Sequence, residues 1–457
     1  MAAIAPQAPG RTASRPPARH HADRSGPFRR IAAQGTPRTI QALIILLVLL
    51  SFAWGGLGAW TVAEHSGAAS SLAHADGPSS SDAQQLYLNL ANADVTITTS
   101  FLAQAQSSAR AQPASSLTAR QEFENDLVAA SHDLAAIQDS NTSPRFTADV
   151  AAIAGGLAQY KGDVASAQAE YALGYIPTGD SFMEVASEDA HLTLLPSAQD
   201  IYRIENGAVT GSKGRATSLP TLLITLVVAI VTLYALVRTQ RWLARKTRRV
   251  LNVGLLIASA ALVISGVWLA ATAVLVGSDL STAIGQGANP ASALAQASID
   301  VQQIRGDSIL NVIARSGTTT LPADSASLVQ VVGPRPGGGG LLDQASAAGN
   351  GQVTSALRPA VAAAPGWYAV NNQGYRYGSA FQYSKEQASV LTDASGGFET
   401  MKTSIGNAID AAQQTFTSEA NAGAGAFGPL EAVVIVASLL MAAASVWGLS
   451  RRLSEYS

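Results

Sequence analysis

Six histidines are the first residues to test for chemistry: His20, His21, His65, His74, His132 and His191. None stands four residues from another on one helix face, and no H-E-x-x-H run occurs, so a helical zinc pair is not encoded. The chain has no cysteine, which excludes thiol nucleophiles, thiolate metal sites and disulfides. A phosphate-binding P-loop, a G-x-S-x-G elbow and a kinase signature are all missing. The glycines of Pro334–Gly340 (PRPGGGG) precede no strand–helix unit. Carboxylates cluster at Glu122, Glu124 and Asp126, and again at Glu184, Glu188 and Asp189. Paired carboxylates can exchange protons, but on an exposed helix such a run is a solvated face. We therefore expect no enzyme, no cofactor and no metal.

Three groups of residues suit recognition better than catalysis. Arg305, Asp307 and Arg315 share one helical stretch and form a charged patch; a bidentate arginine is a good carboxylate binder, with local intrahelical pairing as the plainer reading. Trp367 and Tyr368 open the densest aromatic cluster, with Tyr375, Tyr377, Phe381 and Tyr383. Such a cluster is a protein contact face or a plain core. Arg241, Trp242 and Arg245 lie in a basic linker that either meets a partner or only fixes the topology.

What positions these residues is a set of four apolar blocks at 39–62, 218–237, 250–276 and 430–449. Each has about the 20 residues a helix needs to cross a bilayer. They leave a tail (1–38), a first loop (63–217), a linker (238–249), a second loop (277–429) and an end (450–457). An uncleaved anchor is favoured over a signal peptide for the first block, despite Ala73-His74-Ala75, because a signal core is shorter. The tail carries seven basic residues against Asp23 alone, and the linker carries six with no acid. Positive residues near span ends stay inside. Both termini and the linker are therefore expected in the cytoplasm and both loops outside a plasma membrane. The first loop has eighteen acids against seven bases, which leaves no basic face for nucleic acid.

Apolar residues in the first loop recur at three- and four-residue steps. Leu86, Leu90, Ala93, Ile97 and Phe101 mark one helix; Phe123, Leu127, Ala130, Leu134 and Ile137 mark a second. The third runs from Phe146 through Tyr160 to Ala167, and the last from Phe182 to Ile201, with a kink expected at Pro196. Turns are expected at 141–144 and 174–180. The second loop reads as helices over 291–315, 341–348, 353–364, 367–375 and 398–419. The expected fold class is all-α: four transmembrane helices with two extracytoplasmic, four-helix-bundle-like domains. Each half repeats the plan span, bundle, span, which points to an ancestral duplication.

The runs TIQALIILLVLLSFAWGGLGAWTVAEHSGAAS, LYLNLANADVTITTSFLA, RTQRWLARKTRRVLNVGLLIASAALVISGVWL and IDVQQIRGDSILNVIARSG carry a resemblance. They resemble an actinobacterial four-span family, the GlnX-type membrane component. The resemblance implies a solute-binding lipoprotein of GlnH type outside, a soluble Ser/Thr kinase of PknG type inside, and a relay of amino-acid sensing between them. Two alternatives stand beside it: a chemoreceptor-like homodimer binding a small ligand directly, and a structural envelope scaffold.

Overall fold

A computed structural model of the chain describes residues 36–106, 114–216, 218–247, 252–314, 321–334, 338–394 and 396–453. It is all-helical, with no strand among the described residues. The first half contains α1 (Thr36–Ser71), α2 (Gly77–Gln106), α3 (Ala114–Ile137), α4 (Pro144–Leu173), α5 (Ile176–Asp189), α6 (Leu195–Ala216) and α7 (Leu219–Thr247). The second contains α8 (Val253–Thr282), α9 (Asn289–Ala314), α10 (Leu321–Val332), α11 (Leu341–Ala348), α12 (Gly351–Ser379), α13 (Tyr383–Ala394), α14 (Gly397–Ala426) and α15 (Gly428–Leu453).

Four of these helices, α1, α7, α8 and α15, contain stretches long and apolar enough to cross a membrane. They form a ring in which α1 and α8 each lie against both α7 and α15. Ile45, Leu49, Phe52, Leu226, Ile264 and Val436 stay exposed on its outside, the surface lipid would cover. Helices in hydrocarbon associate through small residues and interhelical hydrogen bonds. Both occur here. A Cβ on Gly58 of α1 would lie 2.7 Å from Val434 of α15, and the Thr61 and Thr225 hydroxyls meet at 2.7 Å between α1 and α7. Asn252 caps α8 by accepting from Gly254 N and donates to Gly448 O of α15 at 2.8 Å.

Two of the apolar helices, α1 and α8, run into the polar body without a loop. α1 runs into α2 through a π turn at Leu72–Asp76, and α8 runs into α9 through a π turn at Ala283–Ala288. On the return side, α6 passes to α7 around Ser218, and α14 to α15 at Phe427. His65 sits between these two joints: its Nε2 is 3.3 Å from Ser218 O and its ring meets Phe427 edge-on. The repeated order, apolar helix, π turn, long polar helix, return helix, apolar helix, matches the duplicated plan.

The first half follows the expected four-helix path. Pro144 opens α4 behind Ser143, and Gly174 closes it with φ 85°, a conformation glycine adopts without strain. The expected turn over 174–180 is shorter, since α5 already starts at Ile176 with Pro177 in its first turn. A π turn at Ala190–Leu194 stands directly before Pro196, whose missing N–H removes one bond from the regular ladder. The second half departs further. The stretches expected at 353–364 and 367–375 are one helix, α12, which continues through Pro359 and Pro365. Two helices, α10 and α13, were not expected at all.

The larger departure is that the two loops do not form separate bundles. α2 packs on α9; Ile299 of the second half sits in the first half's core, and Val95 and Leu102 sit in the second half's core. The polar body is one interlocked unit.

Candidate functional site

The seam between the halves holds a buried polar centre. Asp94 on α2 is 1% exposed. Its carboxylate accepts from the Tyr160 hydroxyl of α4 at 3.1 Å and from Ser187 of α5 at 2.9 Å. His191, in the π turn before α6, reaches it from the same half: Nε2 lies 3.3 Å from Asp94 Oδ2. The other ring nitrogen faces across the seam, 3.5 Å from Asp307 Oδ1 on α9. Gly306 makes room for this, because a Cβ there would stand 2.9 Å from the imidazole. Asp324 of α10 adds a further buried carboxylate whose charge acts on the ring. Burial alone would strip the imidazole of its proton. The hydrogen bond and charge of Asp94, with Asp307 and Asp324, outweigh that, and the His191 pKa lies above its ordinary value. The Tyr160 hydroxyl is pushed up by burial and by Asp94, so it stays a neutral donor.

Asp300, about two turns before Asp307 on α9, is 4% exposed. Gln296 donates to its Oδ1 at 2.8 Å, while Oδ2 has no hydrogen-bond partner. Burial pushes its pKa up to about 6. Asp94, Asp307 and Asp324 thus bring carboxylates from both halves around one imidazole.

Arg305 and Asp307 are not a surface patch. Arg305 is 2% exposed; its Nη1 donates to Val390 O of α13 at 2.7 Å and its guanidinium stacks 5.4 Å from the Phe398 ring centre. It borders a cavity of about 10 Å³ with Asn371, Glu386 and Ser389, room for about one water molecule. Asp307 faces His191 instead, and Arg315 lies outside the described residues. Trp367 is 1% exposed in the second half's core, and Tyr368 packs partly buried against it. The aromatic cluster is thus a core element at these two positions. Arg241 and Arg245 are exposed on α7, with Trp242 half-buried between them. The linker is therefore largely helix up to Thr247, and its basic residues form a stripe together with Arg238. In the first half, Arg145 and Arg203 both pair with Asp200, as their acidic surroundings imply.

The buried seam was not legible in the sequence because its carboxylates Asp94 and Asp307 stand singly on different helices, far apart along the chain. A signal existed: Asp94 stands four residues after Leu90 and three before Ile97, on the apolar face of α2. Among the described residues no group of three or more His, Asp or Glu side chains is placed to hold a metal ion.

Residues 68–214 match a family model described as an actinobacterial sensor domain. The matched span begins just before the first π turn and ends within α6, so it takes in Asp94, Tyr160, Ser187 and His191. No curated protein and no solved structure matches the chain. Over residues 68–214 the chain is similar to actinobacterial sensor domains, which supports a sensing or signalling role for a membrane protein with four apolar helices.

Proposed function

We propose that the protein is a non-enzymatic transmembrane signal relay that couples an extracytoplasmic amino-acid-binding lipoprotein to a cytoplasmic Ser/Thr kinase. One observation carries the reading: α1–α2 and α8–α9 each run from the apolar ring into the polar body without a loop. A loop would absorb a displacement; a continuous helix passes it on, as helix shifts do in other switches. Because the halves share one seam, a partner docking on either half moves both pairs of helices. The exposed stripe Arg238, Arg241 and Arg245 on α7 gives a soluble partner its surface. The basic tail and linker support an orientation with this stripe inside the plasma membrane.

The test is a pull-down of the full chain from crosslinked membranes, read by mass spectrometry. Recovery of a solute-binding lipoprotein and a soluble kinase, with the kinase lost in a variant carrying Arg238→Glu, Arg241→Glu and Arg245→Glu, supports the relay. Recovery of neither, with wall or division proteins instead, refutes it in favour of a scaffold.

A further inference from the structure

A cavity of about 50 Å³ opens where the two halves meet, at the level of the π turns. That is room for a few water molecules at about 10–15 Å³ each, or for one molecule of three to five heavy atoms by the same approximate measure. Helices from both halves line it: Ser81 and Gln84 of α2, Tyr202 and Asn206 of α6, and Gln413 and Phe416 of α14 among them. No Asp, Glu, Lys or Arg is among its lining residues. A charged guest would lose its hydration there with no counter-charge in return. Burial holds the Tyr202 hydroxyl neutral by pushing its pKa up to about 12.

Gln84 is the lining residue with a fully buried, unpaired side-chain donor. It is 3% exposed, and its Nε2 has no hydrogen-bond partner. An unpaired buried donor costs about 1–3 kcal/mol, and such groups are rare in folded proteins. Phe416 gives the cavity an aromatic wall and ties it to the membrane helices. A Cβ on Gly77, directly after the first π turn, would stand 2.6 Å from the Phe416 ring. A Cβ on Gly287, inside the π turn between α8 and α9, would stand 2.7 Å from Phe416 Cβ. The same side chain is thus cradled by the joints of both halves.

We propose that this cavity is a binding site for a small uncharged molecule, amide- or diol-sized, whose hydrogen-bond acceptor receives the Gln84 amide. The guest rests against Phe416 and so acts on both π turns at once. This site does not depend on the lipoprotein or kinase of the relay reading, and its test reads binding alone.

The experiment follows the thermal stability of the full chain in lipid nanodiscs against acetamide, urea and ethylene glycol, with acetate and ethylammonium as charged controls. The expected result is a saturable rise in melting temperature with at least one neutral probe and none with the charged ones. Gln84→Met removes the unpaired donor; it should raise the melting temperature of the unliganded protein and abolish the saturable response. Saturation-transfer NMR with acetamide on the unaltered protein gives an independent readout, with transfer expected. A purely linear response, a response unchanged in Gln84→Met, or absence of transfer would overturn the site. A lower melting temperature for unliganded Gln84→Met would do the same, by showing that ordered water already satisfies the amide.

Discussion

Asp300→Asn should stabilise this protein, and by an amount that depends on pH. The side chain is buried with one carboxylate oxygen bonded to Gln296 and the other unpaired. Burial pushes its pKa up to about 6, well above the ordinary aspartate value. The folded state therefore holds a proton that the unfolded chain has released. Unfolding free energy falls as pH rises through that window, and the penalty is complete above it. A difference of about 2 units corresponds to about 3 kcal/mol at about pH 8 and about half of that at about pH 5. Asparagine keeps the shape and the Gln296 bond but leaves a neutral amide unpaired, which returns about 1 kcal/mol or more of the gain. The net expectation is about 1–2 kcal/mol at about pH 8, a rise of a few degrees in melting temperature, and little or none at about pH 5. Differential scanning fluorimetry of the full chain in nanodiscs at both pH values reads it. A variant that is no more stable than the parent at the higher pH, or equally stabilised at both, would show that the carboxylate is hydrated.

His191→Gln should act with the opposite sign. Because the imidazole pKa is raised in the fold, the bridge to Asp94, Asp307 and Asp324 is fully present below about pH 6.5 and is lost as pH passes the raised value. The variant should lose about 1.5–3 kcal/mol at about pH 6 and progressively less at higher pH, read as melting temperature against pH; a pH-independent loss would mean packing alone. Gly287→Ala places a Cβ 2.7 Å from Phe416 backbone N, where backbone cannot yield as a side-chain tip can. It should cost about 1–3 kcal/mol, with proteolysis detecting loosening at the seam. Because the chain has no cysteine, single introduced thiols report orientation cleanly. Leu173→Cys should react with an impermeant maleimide in intact cells, and Arg241→Cys only after permeabilisation; the reverse pattern would invert the orientation.

The apolar spans were legible from their unbroken apolar length, and the first four helices of the polar body because each obeys a single period over two turns or more. α10 and α13 were not; each lies against a longer neighbour, α9 and α12 respectively, and takes its order from that packing rather than from a local period. Pro365 read as a break between two helices because a proline removes one backbone donor, yet α12 continues through it on core contacts at Leu357, Ala360, Ala364 and Trp367. The seam was the least legible feature. Val95, Leu102 and Ile299 look like any other core positions, and no local pattern says that their partners lie in the other half. Buried Asp94, Asp300, Arg305 and Asp307 all sit at helical spacing among apolar residues. A charge at such a position is the mark that a periodicity reading smooths over.

The π turns at Leu72–Asp76 and Ala283–Ala288 have a mechanical consequence of their own. A π turn stores one surplus residue, because its hydrogen bonds skip five positions instead of four. Sliding that surplus along the helix breaks and remakes single backbone bonds, yet every residue it passes turns by about 100° and advances by about 1.5 Å. The pair therefore works like two dislocations in parallel threads, held level by one phenylalanine. Displacing either one would convert a local rearrangement in the polar body into a quarter-turn of a membrane helix, with no hinge needed.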